Sequence, residues 1–95
     1  MATTNAKTRR ALVTGGSGGI GAAICRALAA AGCEVLVHAN RQLDKAEAVA
    51  EEIRAAGGQA TALAFDVTDR AATAAALEAA LAAGPIQILV NNAGI

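Results

Sequence analysis

Short apolar runs alternate along this chain with longer stretches in which apolar residues recur every three or four positions. The short runs predict β-strands, and the longer stretches predict amphipathic helices that bury one face. The predicted strands cover residues 9–14, 34–38, 59–65 and 86–90. The predicted helices cover residues 19–31 and 42–56, and a third helix is capped by Thr68 or Asp69 and ends near Ala83.

The same periodicity predicts which helical residues face the sheet. In the first helix these are Ile20, Ala23, Ile24, Ala27, Leu28 and Ala31. In the second they are Leu43, Ala46, Val49, Ala50 and Ile53, and in the third Ala74, Leu77 and Leu81.

Strands that alternate with helices over short connections predict a parallel sheet with right-handed crossovers. The run Ala11-Leu12-Val13 lacks polar alternation, as expected of a strand buried on both faces. The predicted fold class is α/β, a Rossmann-type doubly wound parallel sheet in the order 3-2-1-4, with helices on both faces in three layers. The 95 residues suit one domain, in which we expect residues 1–8 to form a flexible tail.

Composition argues against nucleic acids, membranes and metal ions as partners of this chain. The formal net charge is zero, and no basic stripe interleaves with aromatic residues, so we expect no nucleic-acid partner. No apolar segment resembles a membrane span or a signal peptide, which favours a cytoplasmic protein without membrane contact. Cys25 and Cys33 show no metal-ligand pattern, so we expect small buried thiols and no metal site.

A glycine-rich turn joins the first strand to the first helix. Five of the seven residues 15–21 are glycine, which is more than a turn without a ligand requires. Glycine lets the backbone approach a bulky anion, and the N–H groups of the following helix attract it. No Gly-Lys-Ser/Thr closes the run, which excludes a P-loop. The turn predicts a pyrophosphate site, and an empty strand-to-helix turn is the alternative.

Three motifs, each at the end of a predicted strand, resemble those of the short-chain dehydrogenases/reductases. Thr14-Gly15-x-x-x-Gly19-Ile20-Gly21 is similar to that family's glycine signature. Phe65-Asp66-Val67 resembles its Asp-Val pair, and Asn91-Asn92-Ala93-Gly94 resembles its Asn-Asn-Ala-Gly motif. The resemblance covers the chain from about Arg10 onward.

The resemblance implies a role for each matched residue. Asp66 would accept a hydrogen bond from an adenine amino group, and Val67 would lie beside the ring. Taken without the other motifs, Asp66 would be a solvated carboxylate, and Asn91-Asn92 would be a simple turn. The residues that would line the adenosine ribose are Asn91, Ala93 and Gly94. The residues that would cradle the pyrophosphate are Gly15, Gly16, Ser17, Gly18, Gly19, Ile20 and Gly21.

The end of the second strand distinguishes the two nicotinamide cofactors. NAD-binding folds place an acidic residue there for the ribose 2′-hydroxyl, whereas an arginine accommodates the 2′-phosphate of NADP. Here the expected acidic position is Ala39, and Asn40 and Arg41 follow it. This pattern favours NADP(H) over NAD(H), with Asn40 and Arg41 as binding residues. We interpret His38 as a neighbour of the adenosine pocket rather than as a catalyst.

The resemblance also implies the reduction of a carbonyl group, with a Tyr as proton donor, a Lys four positions later and a substrate-orienting Ser. The chain contains no tyrosine, so we assign no catalytic residue in it. We expect it to be the first segment of a longer enzyme, because a bare fourth strand is an association hazard. The isolated chain would then aggregate and reduce no ketone. A nucleotide-binding module without catalysis is the alternative.

Within the family, residues 35–41 and 57–60 are most similar to 3-oxoacyl-[acyl-carrier-protein] reductases of fatty-acid synthesis. The implied substrate is a small-molecule or acyl-carrier-protein-linked carbonyl compound. A sugar, a steroid or a small alcohol is the alternative. The resemblance further implies a homotetramer or homodimer for the full-length protein.

Overall fold

The computed structural model describes residues 9–92, and in this range strands and helices alternate as predicted. The elements are β1 (Arg10–Thr14), α1 (Gly19–Ala30), β2 (Glu34–Ala39), α2 (Leu43–Ala55), β3 (Gln59–Ala64), α3 (Arg70–Ala82) and β4 (Ile88–Asn91). The strands pair in parallel in the order β3-β2-β1-β4, which confirms the predicted topology. The predicted tail, residues 1–8, and the site residues Ala93 and Gly94 lie outside the described residues.

Strand β4 begins two residues later than predicted, and a side chain explains the difference. The backbone N–H of Arg10 donates to Oε1 of Gln87 (2.8 Å) rather than to a backbone carbonyl. The amide of Gln87 in turn donates to the carbonyl of Arg10 (3.0 Å). Regular strand pairing therefore starts only with Ile88 opposite Ala11. The other element boundaries differ from the predicted ones by about a residue, as the ends of helices and strands commonly do.

Helices α1 and α2 cover one face of the sheet and enclose the larger core. Strands β1 and β2 contribute Val13, Val35 and Val37, all completely buried. Helix α2 buries four of its five predicted residues, Ala46, Val49, Ala50 and Ile53, whereas Leu43 at its start is exposed.

The predicted buried face of α1 is wrong in part. The helix buries Gly21, Ala22 and Cys25, with Ile24 and Leu28 partly buried. Four residues predicted to face the sheet are instead exposed, namely Ile20, Ala23, Ala27 and Ala31. Close contact between Gly21 and the turn before the helix fixes this rotation, because a Cβ on Gly21 would lie 2.1 Å from the Gly15 carbonyl oxygen.

Helix α3 lies on the opposite face, so the three-layer arrangement is confirmed. The small core there contains Leu12, Leu36 and Ala80, with Leu77 packed against it. The predicted inward position of Leu81 is wrong, because 52% of that residue is exposed. Ala74 is exposed as well. Helix α3 thus packs chiefly through its C-terminal half and leaves an apolar cleft of about 410 Å³ beside β1 and β4.

A buried arginine at the start of the sheet anchors the end of α3. The Nη1 atom of Arg10 donates to the carbonyls of Ala80 (2.8 Å) and Gly84. Its Nε lies 3.4 Å from a carboxylate oxygen of Glu34. The last carbonyls of a helix lack partners within the helix, and a cation is favoured beside them. Arg10 therefore ties the C-terminal end of α3 to the amino end of the sheet.

Candidate functional site

The glycine turn presents an open backbone surface at the N-terminus of α1. Gly15 and Gly19 have φ values of 67° and 36°, a region that side-chain-bearing residues rarely adopt. A Cβ added at Gly18 or Gly19 would meet no atom within 4 Å. Gly18 caps the helix without a side-chain hydrogen bond, and the first turn contains no acidic residue. The N–H groups and the positive end of the helix dipole are therefore available to an anion.

The other turn glycines serve close packing. Gly21 lies against the Gly15 carbonyl, and a Cβ on Gly16 would lie 2.8 Å from Sγ of Cys25. The Cys25 thiol lies 3.7 Å from the Gly16 carbonyl oxygen, and burial raises its pKa to about 11. Cys25 is thus a neutral packing group beneath the turn, as predicted. The two remaining predicted turn residues lie on its outer side, where Ser17 is half-buried and Ile20 is 70% exposed.

The end of β3 places Asp66 beside the end of β2. One carboxylate oxygen of Asp66 accepts hydrogen bonds from the hydroxyl (2.7 Å) and the amide (2.9 Å) of Thr68. The other oxygen lies 3.7 Å from Nη2 of Arg41. These hydrogen bonds, with smaller contributions from Arg41 and Asn40, hold the pKa of Asp66 below its ordinary value. The carboxylate is therefore an ionised acceptor at neutral pH.

Asn40 connects the two strand ends directly. Its Oδ1 accepts the amide N–H of Val67 at 3.0 Å, so the predicted adenine-site residues on β2 and β3 are in contact. The Val67 side chain is partly exposed. The structure thus brings together Asn40, Arg41, Asp66 and Val67.

A shallow cavity of about 260 Å³ lies between the turn and the end of β2. Its lining residues are Ser17, Ala39, Asn40, Arg41 and Gln42. The lining contains a guanidinium, a hydroxyl and two amides, but no carboxylate. Such a set of donors suits a phosphate group. Gln42 was not among the predicted binding residues, and its position directly after Arg41 was the only signal for it in the sequence.

The end of β4 contacts the turn through a residue that was not among the predicted ligands. The Asn92 side-chain amide donates to the Gly15 carbonyl at 3.1 Å. Its backbone N–H donates to the hydroxyl of Thr14 at 3.0 Å. The predicted Asn91 instead places its Oδ1 3.3 Å from the Thr14 hydroxyl, at the edge of the apolar cleft.

A buried histidine joins the turn to the end of β3. His38 is fully buried, and its Nδ1 accepts the Gly15 N–H at 3.0 Å. Its Nε2 lies 2.7 Å from the Phe65 carbonyl oxygen, and the rings of His38 and Phe65 are 4.2 Å apart. A ring so enclosed has no access to a substrate. His38 and Phe65 lie directly before the strand ends that carry Asn40 and Asp66, and the role of His38 as a neighbour of an adenosine pocket stays a prediction.

Two kinds of feature are absent from the part of the chain that the structure describes. Residues 9–92 contain no group of three or more His, Cys, Asp or Glu side chains arranged to hold a metal ion. Within the same range, no helix combines the length and the apolar character that crossing a membrane requires.

The parallel sheet, the open glycine turn at a helix N-terminus and the polar strand ends beside it define a Rossmann-type dinucleotide-binding fold. Comparison with known proteins identifies the family. The short chain dehydrogenase family model matches residues 9–95, and the chain belongs to this family.

Relatives and solved structures agree with this assignment. A probable oxidoreductase of Streptomyces antibioticus is 51% identical over 89 residues, which cover 92% of this chain and 29% of that protein. A metagenomic short-chain oxidoreductase in complex with NADP is 46% identical with a TM-score of 0.87, over 92% of this chain and 39% of its own. A hydroxysteroid dehydrogenase from Escherichia coli is 37% identical with a TM-score of 0.82, over 87% of this chain and 35% of its own. The chain spans about a third of the length of the curated relatives it matches.

Proposed function

We propose that this chain is the cofactor-binding part of an NADPH-dependent carbonyl reductase. The observation that carries the proposal is the cavity at the end of β2, where Arg41, Ser17 and two amides face a space without a carboxylate. An acidic residue at this position would favour the 2′-hydroxyl of NAD, and its absence beside an arginine favours a 2′-phosphate. The similar metagenomic oxidoreductase was solved with NADP, which supports the same choice.

The other parts of the site fit the rest of a dinucleotide. The open N–H groups at Gly18 and Gly19 would hold the pyrophosphate, and a Cβ at either position would occupy part of that surface. The ionised Asp66 would accept the adenine amino group, with Val67 beside the ring. Asn91, Ala93 and Gly94 would line the ribose. When bound, the reduced nicotinamide supplies a hydride to a carbonyl carbon.

We propose that the catalytic Ser, Tyr and Lys belong to a longer protein of which this chain is the first segment, because its relatives are about three times as long. That protein would be cytoplasmic and would form a homodimer or homotetramer.

The first candidate substrate is a 3-oxoacyl group on acyl carrier protein. A hydroxysteroid or other small alcohol is the alternative, and the similarity to a hydroxysteroid dehydrogenase supports it. Assaying the full-length protein with 3-oxoacyl thioesters and with oxosteroids separates the two candidates.

The cofactor is tested by measuring NADPH and NADH affinity in the full-length protein and in Arg41→Ala. We expect Arg41→Ala to weaken NADPH binding by about tenfold or more, because a charge-assisted contact is lost, and to leave NADH binding nearly unchanged. Lys45→Ala is the matched control, because it removes a nearby exposed charge that does not line the cavity. Equal NADPH affinity in Arg41→Ala and the unaltered protein would contradict the proposal.

A further inference from the structure

The first residue of the glycine turn is held by hydrogen bonds at both its N–H and its carbonyl group. Gly15 has a left-handed φ of 67°, and its N–H donates to the ring of His38 while its carbonyl accepts from Asn92. The next amide, that of Gly16, donates to the backbone carbonyl of His38 at 2.8 Å. His38 therefore receives two successive N–H groups, one on its side chain and one on its backbone. Both groups point into the protein rather than toward the open surface of the turn.

This arrangement requires one particular form of the imidazole ring. A backbone N–H can only donate, so Nδ1 of His38 must be an unprotonated acceptor. The proton of the neutral ring is then on Nε2, which donates to the Phe65 carbonyl at 2.7 Å. The same ring thus fixes the turn at one nitrogen and the end of β3, next to Asp66, at the other. The two walls of the cofactor site are joined through a single buried side chain.

We propose that His38 is a positioning residue, whose neutral Nε2–H ring holds the glycine turn in the conformation that binds the cofactor pyrophosphate. The inference rests on the proposed function, because it concerns affinity for the same nicotinamide dinucleotide. Without an acceptor at Nδ1, the Gly15 N–H loses its partner and the flexible glycine run adopts other conformations. Apparent cofactor affinity falls with the fraction of molecules that keep the binding conformation.

Two substitutions distinguish the contributions of the two ring nitrogens of His38. In His38→Asn, the amide oxygen can take the place of Nδ1 and keep the bond to Gly15, while the bond to Phe65 is lost. In His38→Gln, the longer side chain can place its amide nitrogen near the position of Nε2 and keep the bond to Phe65, while the turn loses its acceptor. Each variant removes one buried hydrogen bond, so similar losses in melting temperature are expected.

The experiment measures binding of NADPH to the full-length protein and to both variants by fluorescence titration. Adenosine 2′-monophosphate, which lacks the pyrophosphate, serves as the comparison ligand. We expect His38→Gln to weaken NADPH binding by about tenfold relative to His38→Asn. Adenosine 2′-monophosphate should bind His38→Gln at least as well as His38→Asn, because only His38→Asn loses the bond to Phe65 beside Asp66. Equal NADPH affinities in the two variants, or losses that merely follow melting temperature, would overturn the inference. Failure of the unaltered protein to bind NADPH would instead overturn the proposed function.

A spectroscopic test needs no variant and applies even if the substitutions prevent folding. Nitrogen-15 chemical shifts of the His38 ring in the unaltered protein report which nitrogen carries the proton. We expect the neutral form protonated at Nε2. A proton on Nδ1 would exclude the hydrogen bond from Gly15 and overturn the inference.

Discussion

At the residue scale, two glycines of the turn differ in the space available for a side chain. A Cβ on Gly21 would lie 2.1 Å from the Gly15 carbonyl oxygen, whereas a Cβ on Gly18 would meet nothing within 4 Å. We expect Gly21→Ala to destabilise the protein by about 1–3 kcal/mol, because backbone atoms must move apart. Gly18→Ala should leave the melting temperature nearly unchanged, since its extended backbone suits alanine, but should weaken NADPH binding. Thermal melting and NADPH titration of both variants check this; equal melting temperatures would refute the packing role of Gly21.

Asp66 gives the site a pH dependence of known sign. Hydrogen bonds from Thr68 lower its pKa below the ordinary 3.8 in the folded protein. Its contribution to stability is therefore present above pH 3.8 and is lost as pH falls through the folded pKa. We expect Asp66→Asn to melt at a lower temperature than the unaltered protein at neutral pH, and the difference to shrink at acid pH. A difference that stays constant with pH would show that the charge of Asp66 does not contribute.

At the scale of elements, one buried side chain holds the C-terminal end of α3 in addition to the small core that contains Ala80. Arg10 is 8% exposed and donates to carbonyls at the end of this helix. We expect Arg10→Met to cost about 1–3 kcal/mol, because the carbonyls lose a charged donor and Glu34 loses its partner. In Arg10→Met, hydrogen exchange should show that the backbone amides of α3 exchange faster than those of α1.

Arg26→Met is the matched control for Arg10→Met. It breaks an exposed ion pair, in which Nη1 of Arg26 lies 3.1 Å from Oε1 of Glu52. The loss in the free energy of unfolding should be less than about 1 kcal/mol. If the two substitutions cost the same, the hydrogen bonds of Arg10 stabilise the protein no more than an exposed ion pair does, and the proposed anchoring of α3 is wrong.

At the scale of the whole molecule, the two faces of the sheet are covered unequally. Helices α1 and α2 close one core, whereas the cleft beside α3 exposes Leu81 (52%) and Leu89 (65%). We expect the 95-residue chain by itself to self-associate through this apolar surface. The double variant Leu81→Glu/Leu89→Glu should reduce association in sedimentation experiments. Leu43→Glu, on an exposed leucine outside the cleft, is the control; if it reduced association as strongly, the cleft would not be the associating surface.

The sequence by itself determined the order of elements, the sheet topology and the strand ends at which the candidate site residues lie. These properties follow from local patterns, because hydrophobic periodicity distinguishes strand from helix and the motifs lie where strands end. Hydrophobic periodicity also explains why four of the five α2 residues predicted to face the sheet are buried. The residues Asn40, Arg41, Asp66 and Val67 could be predicted as a group because parallel strands end at one edge of the sheet.

The tertiary structure alone decided how these parts contact one another. The buried face of α1 depends on the contact between Gly21 and Gly15, which periodicity does not include. The bonds of Gly15 to His38 and Asn92 join residues 23 and 77 positions apart. A side chain's partner across such separations is set by packing of the whole sheet, so the sequence could indicate His38 as a neighbour of the site but not the bonds it makes there.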